Sequence, residues 1–397
     1  MGFTHTKLTR HRPDFILLFV VLVLVSVGLV NVYSASMIWA AENLKAASPS
    51  YFFIRQMIWA IMGTFFMLFI MNVHYRVWLR LTKFALVSTT LLLVIVLFIG
   101  QEVNGAKRWL GFGFLSLQPS EFSIFAILLY VSYLLTKKGE QITDFKKGVL
   151  PSLIIAIIPA LLILKEPDMG TAVLLIGTVF CVLYCAGARF RHLFSIFIIG
   201  SAASIYFIFS SKYRAERITA FLNPWDASNS DSAFQIKNSL YAIASGGWTG
   251  QGLGHSIEKF LYLPEPHTDF IFAILIEEWG IIGAIIVIIL FAILIWRGTM
   301  IATRIPDRFA SIFATGITAM IGIAMIVNIG MVTDVLPVIG VPLPFISYGG
   351  SSLFIKMTAI GILLNISRYT LEERSKLRPS PPVHAVPQPI RRSRFDT

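Results

Sequence analysis

Apolar residues in this chain gather in long, nearly unbroken runs instead of the alternating or three-to-four-residue pattern of a water-soluble fold. A helix that crosses the hydrocarbon core of a bilayer needs roughly 20 mostly apolar residues, and about ten runs approach or exceed that length. They cover residues 15–36, 53–73, 80–100, 119–136, 149–165, 169–187, 191–210, 268–296, 307–331 and 347–367. Only a tight polar turn, Lys165, Glu166, Pro167 and Asp168, separates the fifth run from the sixth. An even number of crossings puts both termini on one side. Lys and Arg in alternate connections set the orientation: 22 of the 33 fall on the side of the termini, which makes that side cytoplasmic. The other side holds several short connections and one long one, residues 211–267, between the seventh and eighth runs. The pattern predicts an all-α integral membrane protein with a cytoplasmic N-terminus (1–14), a ten-helix membrane domain (15–370) and a cytoplasmic tail (371–397). From Pro379 the tail is basic and proline-rich with almost no apolar periodicity, so disorder is expected there.

Composition narrows the class further. With 56% hydrophobic and 14% charged residues, the chain cannot cover a water-soluble globule of 397 residues. The net charge of +12 is scattered between apolar runs, which fits a basic rim facing anionic lipid and excludes a nucleic-acid-binding stripe. Cys181 and Cys185 sit four apart in one apolar run, share a helix face and read as packing residues. The first run, 15–32, is long and lacks a small-residue cleavage pattern after it, so it is expected to remain as a membrane helix. The seven histidines show no metal-ligand spacing, and no internal repeat supports an inverted-repeat transporter.

Several outward-facing segments are more polar than a spanning bundle requires: 104–110 with Lys107 and Arg108, 118–121 with Glu121, 165–171 with Lys165 and Asp168, 213–217 with Arg214 and Arg217, 262–270 with Glu265, His267 and Asp269, and 342–352. Each has a structural explanation by itself. Asp269 would complement the dipole of the eighth helix while Thr268 caps it, Lys107 and Arg108 would snorkel to the interface, Glu121 would cap the fourth helix, and the glycines from Gly246 to Gly254 would make a flexible loop.

In combination, the words GAKRWL, QPSE, EPDMGTA, YRAERITAFLNPW, YLPEPHTDFIFAILIEEWG and LPFISYGGSS closely resemble the SEDS family of shape, elongation, division and sporulation proteins, which includes FtsW, RodA and SpoVE. The resemblance runs from the first helix to the tenth and leans towards the FtsW and SpoVE branch. It implies polymerisation of lipid II, the undecaprenyl-diphosphate-linked disaccharide-pentapeptide, into glycan strands at the outer face of the bacterial cytoplasmic membrane. A carboxylate to accept the attacking hydroxyl's proton and cations for the departing diphosphate would meet that chemistry. Asp269 matches the family's essential aspartate and is the candidate catalytic base. Lys107, Arg108, Glu121, Lys165, Asp168, Arg214, Arg217, Glu265 and His267 are candidate substrate-binding groups. No cofactor is firmly implied and no metal ligands are assigned, although a divalent cation, Mg or Mn, is compatible with the carboxylate. The implied partners are lipid II, a class B penicillin-binding protein acting as transpeptidase, the divisome or related cell-wall machinery, and membrane lipid, with no nucleic acid. A lipid II flippase or transporter, and a non-catalytic scaffold for a penicillin-binding protein, are the alternatives.

Two positions depart from the family pattern. Ile124 stands where many members carry a lysine three residues after the QPSE glutamate, and Asp334 stands where a small residue is common. Glu277 and Glu278 lie about 12 Å deeper than Asp269 at 1.5 Å per residue. Lys356, at similar depth in the tenth helix, is the expected partner of one of them.

Overall fold

A computed structural model describes residues 10–43, 48–103, 105–112, 115–209, 212–226, 231–260 and 262–370. Residues 1–9, Asn104 and the basic tail from 371 lie outside the described residues. Twelve α-helices are described: α1 (Phe15–Asn43), α2 (Tyr51–Ile70), α3 (Arg76–Ile99), α4 (Pro119–Lys138), α5 (Leu150–Lys165), α6 (Met169–Cys185), α7 (Phe190–Phe209), α8 (Lys212–Leu222), α9 (Asp231–Gly246), α10 (Ile271–Arg304), α11 (Arg308–Val332) and α12 (Gly350–Ser367). Every predicted run overlaps one of them. Among the described residues, eight helices are long and apolar enough to cross a membrane, while α6 and α7 register as shorter apolar helices. The protein is thus a predominantly helical membrane bundle.

The centre of the bundle is α12. All its residues but Phe354 are buried, and it packs against α2, α4, α10 and α11. A helix surrounded by protein tolerates polar residues that a lipid-facing one does not, and α12 carries Ser351, Ser352, Lys356, Thr358 and Asn365 in buried positions. Lipid-facing helices show the opposite pattern, with large apolar side chains exposed along α3 and α7, such as Phe84, Phe98, Phe197 and Ile199.

Two features were not anticipated. Between α3 and α4 the chain forms an antiparallel sheet of β1 (Gln101–Val103), β2 (Ala106–Phe112) and β3 (Leu115–Leu117), in the order β1-β2-β3. The 211–267 connection contains α8 and α9. After α9 the chain enters a gap in α10, where Gly280 adopts φ 71° and ψ −176° and interrupts the helix. A broken helix at membrane depth leaves backbone groups that another segment must satisfy. The glycine-rich stretch does so: Gln251 N and Gly252 N donate to Glu277 O and Glu278 O at 2.8 and 3.0 Å, while Ile281 N and Ile282 N donate to Gly247 O and Trp248 O at 2.9 and 3.2 Å. A Cβ at Gly280 would stand 2.3 Å from Trp248 O, so the site admits only glycine without rearrangement.

The same gap overturns the expected pairing of Lys356 with Glu277 or Glu278. The chain beyond the glycines brings Lys259 inward, and its Nζ lies 2.9 Å from Glu278 Oε1 in a fully buried ion pair to which Ser34 also donates. Glu277 accepts from Ser256 Oγ and, at 2.8 Å, from Ile257 N. Lys356 instead faces α4, with its Nζ 3.3 Å from Glu121 Oε2 and in contact with Ser352 Oγ.

Candidate active site

Several segments converge around Asp269 at one end of the bundle. Immediately before α10, Asp269 is fixed through its backbone: Asn328 Nδ2 on α11 donates to Asp269 O at 2.8 Å and to Val341 O at 2.7 Å, tying the 262–270 and 338–349 segments to one amide. The Asp269 carboxylate, by contrast, makes no hydrogen bond among the described residues and is partly exposed. It does not cap α10, whose N-cap residue is Phe270 with no side-chain cap bond, and Thr268 Oγ1 donates to Glu265 O at 2.9 Å. The capping explanation therefore lacks its geometry. Gly340, at φ 75°, passes so close that a Cβ there would stand 3.3 Å from Asp269 Oδ2.

The α5–α6 turn stands on the other side of Gly340, since a Cβ on Gly170 would meet Gly340 O at 2.6 Å. Asp168 caps α6, accepting from Thr171 N at 3.0 Å and Thr171 Oγ1 at 2.8 Å, and it also accepts from Gln118 Nε2 at 3.0 Å. These bonds couple the start of α4 to the start of α6. Arg108 on β2 grips the same turn, its Nε donating to Glu166 O at 2.9 Å and Nη2 to Pro167 O at 2.5 Å. Arg217 on α8 donates from Nη1 to Val338 O at 3.1 Å.

Electrostatics follow from this crowding of acids in a sparsely solvated place. Burial, then the charges of Glu265 and Asp168, push the Asp269 carboxyl up to about 6, against the opposing pull of Arg217 and Arg108. Burial, reinforced by Asp168 and opposed by Arg108, raises Glu166 to about 8, so it stays protonated through neutral pH; both of its carboxyl oxygens are buried without a partner among the described residues. Asp168 is also raised, by burial first, with Arg108 and the Thr171 bonds opposing. A carboxylate raised to about 6, with no hydrogen bond among the described residues and within reach of the charges of two guanidinium groups, can accept a proton beside a place where negative charge is stabilised.

The other candidates fall into three groups. Lys107 and Lys165 are exposed and form no hydrogen bond or ion pair among the described residues. The side chain of Arg214 lies outside the described residues, and Glu265 reaches Asp269 through its charge. His267 is buried among aromatic rings, with centroids 4.3 Å from Phe52 and 5.5 Å from both Trp39 and Tyr348, and burial depresses it to about 3, so it is neutral. Its carbonyl accepts from Tyr348 N at 2.9 Å, so it anchors the segment that carries Asp269. Glu121 is buried in its pair with Lys356. Sequence reasoning passed over Glu166, Gln118 and Asn328 as site residues. Asn328, a lone amide in the ninth apolar run, carried a usable signal, because polar groups at membrane depth need partners. No three His, Cys, Asp or Glu side chains among the described residues converge to hold a metal ion.

This arrangement accompanies a family match. A model described as a cell cycle protein, FtsW/RodA/SpoVE, covers residues 15–372. The chain belongs to the FtsW/RodA/SpoVE family. It is 44% identical to stage V sporulation protein E of Bacillus subtilis (strain 168) over 363 residues, covering 91% of this chain and 98% of that protein. It is 42% identical to a probable peptidoglycan glycosyltransferase FtsW of Trichlorobacter lovleyi over 361 residues, covering 89% and 93% of the two chains. Among solved structures it superposes with a TM-score of 0.74 and 27% identity on a chain from work on the structural coordination of polymerization and crosslinking by a peptidoglycan synthase complex, covering 90% of this chain and 98% of that one. The rod shape determining protein RodA of Thermus thermophilus gives a TM-score of 0.66 and 28% identity, over 91% and 98% of the chains. Arg108, Gln118, Asp168, Arg217 and Asp269 all lie within the motif words noted in the sequence.

Proposed function

We propose that this member of the FtsW/RodA/SpoVE family is an inverting peptidoglycan glycosyltransferase that polymerises lipid II at the outer face of the bacterial cytoplasmic membrane. The observation that carries the reading is the Asp269 carboxylate, half-buried, without a hydrogen bond among the described residues and raised to about 6, within range of the charges of Arg108 and Arg217. Two relatives, named as a sporulation protein and a probable peptidoglycan glycosyltransferase, support it at over 40% identity.

In the proposed step the sugar 4-hydroxyl attacks the anomeric carbon of a second, lipid-linked sugar. Its proton passes to Asp269 as the new glycosidic bond forms. The bond to the lipid diphosphate breaks on the opposite face, so the anomeric centre inverts and no covalent enzyme intermediate forms. Negative charge growing on the diphosphate is met by the positive charges of Arg108 and Arg217, through the N–H groups they do not spend on backbone carbonyls, and by the exposed Lys107 and Lys165. No step runs through a metal. A substrate tethered to a long lipid requires a catalyst embedded beside it, which fits a site built at the ends of membrane helices. The likeness to a chain of a peptidoglycan synthase complex favours a class B penicillin-binding protein as partner, crosslinking each strand as it is made.

Polymerisation of labelled lipid II by the purified chain with its cognate transpeptidase, compared with Asp269→Ala, tests the reading. Glycan strands are expected from the native chain alone, and equal synthesis by the variant would refute the role of Asp269.

A further inference from the structure

At the end of the bundle opposite Asp269, a cavity of about 440 Å³ opens between the α4–α5 connection and the first turn of α7. Lys146, Arg189 and Arg191 line it with Phe145, His192 and a single acid, Asp144. The three cations are exposed and have no hydrogen bond or ion pair among the described residues. Asp144 is held in its turn, its Oδ1 accepting from Lys146 N and Lys147 N at 2.9 and 3.0 Å, and it is one negative charge against three positive ones. The first turn of α7 contains no acidic residue, so the positive end of its dipole stands uncompensated at the same place. His192 lies against the Phe145 ring, 5.6 Å between centroids, and its Nδ1 has no partner among the described residues.

The wall of this cavity is held in place. Residues Gly139–Thr143 form a 3₁₀ turn and Phe145–Val149 a π turn, capped by Asp144. Lys138 Nζ donates to Lys147 O, and Arg308 Nη2 reaches Gly139 O at 3.1 Å. Immediately towards the membrane, the apolar side chains of Leu150 and Ile154 on α5 and of Phe190 and Phe194 on α7 are exposed. A concentrated positive charge therefore sits directly above a lipid-facing apolar strip, on the side with the excess of Lys and Arg.

We propose that this cavity binds the phosphodiester of an anionic glycerophospholipid, with the phosphate among Lys146, Arg189 and Arg191 and the acyl chains along Leu150, Ile154, Phe190 and Phe194. The apolar strip distinguishes such a lipid from a soluble phosphate, and the charge distinguishes it from a zwitterionic lipid. Basic pockets between membrane helices on the cytoplasmic side have this chemistry. The site is separate from the proposed glycosyl transfer and stands or falls independently of it.

The test uses the full chain in neutral detergent, titrated with phosphatidylglycerol, phosphatidylcholine or inorganic phosphate, with bound adducts counted by native mass spectrometry. Phosphatidylglycerol adducts are expected, with phosphatidylcholine much weaker. The triple variant Lys146→Gln, Arg189→Gln, Arg191→Gln is expected to weaken phosphatidylglycerol binding about 100-fold, at about fivefold per cation near a lipid surface. An equal loss of charge elsewhere on the same rim, Arg80→Gln, Lys83→Gln, Lys137→Gln, is expected to change it less than about threefold, since it leaves the cavity intact. Lys146→Arg, which keeps the charge, keeps binding and guards against a misfolded triple variant. Equal losses in both triple variants, undiminished binding in the first, equal uptake of phosphatidylcholine, or displacement of the lipid by millimolar inorganic phosphate would each overturn the proposal.

Discussion

Lys356→Met leaves Glu121 as a carboxylate sealed inside the bundle. The pair is 2% and 7% exposed at its two side chains, with 3.3 Å between Nζ and Oε2. Removing one member of such a buried pair costs about 3–5 kcal/mol, because the remaining charge has lost its partner. A loss of roughly 3–5 kcal/mol is therefore expected for the single variant. The double variant Glu121→Gln, Lys356→Met removes both charges and is expected to recover at least half of that, a coupling of about 2 kcal/mol, within the span found for residues in contact. A further variant addresses the departure at Ile124, which lies one turn along α4 from Glu121 and is buried. Ile124→Lys in the Lys356→Met background supplies a cation at the spacing many family members use, and is expected to restore part of the stability. The assay is reversible unfolding of the detergent-solubilised chain, followed by circular dichroism, for the native protein, these three variants and the single variant Glu121→Gln. Loss of less than about 1 kcal/mol in Lys356→Met, or simple additivity in the double variant, would show that the pair does not hold α4 to α12.

Three further outcomes follow from the site and its frame. The rate of lipid II polymerisation is expected to rise with pH through about 6, as the raised Asp269 carboxyl loses its proton; a flat profile between pH 5 and 7 would exclude it as the base. Arg108→Lys gives up the two-pronged hold on Glu166 O and Pro167 O and is expected to lower polymerisation roughly tenfold or more while the chain still folds; native rates would assign the hold no role. Gly280→Ala forces a Cβ to 2.3 Å from Trp248 O at φ 71° and is expected to destabilise the chain by about 1–3 kcal/mol, read as a lowered unfolding midpoint.

The ten apolar runs each found a helix, with ends within a few residues at α4, α5 and α11, because a membrane allows few alternatives to an internally bonded helix. The ends drifted where an amphipathic extension continued past the apolar stretch, as at the C-terminal end of α10, which reaches Arg304. The convergence of Gln118, Asp168, Arg217 and Asp269 was legible only as shared motif words, since spacing along the chain carries no distance between loops. Helices α8 and α9 were hidden in the predicted 211–267 connection, being short and polar enough to escape a search for 20-residue apolar runs. The mistaken partner for Lys356 has an instructive cause. Rise per residue gave its depth correctly enough, but depth does not fix the rotation of a helix about its axis, and Lys356 faces α4 while Glu278 faces Lys259 and Ser34.

The interruption of α10 at Gly280 also governs how mechanical load travels. An unbroken α-helix behaves as a stiff rod, so a twist applied at one end reaches the other. Here the nine residues Ile271–Trp279, next to Asp269, are stitched sideways to residues 247–252, and the hydrogen-bond ladder does not run straight through to Arg304. A load carried along α10 therefore has a second path, sideways into the glycine-rich stretch, before the segment that holds Asp269.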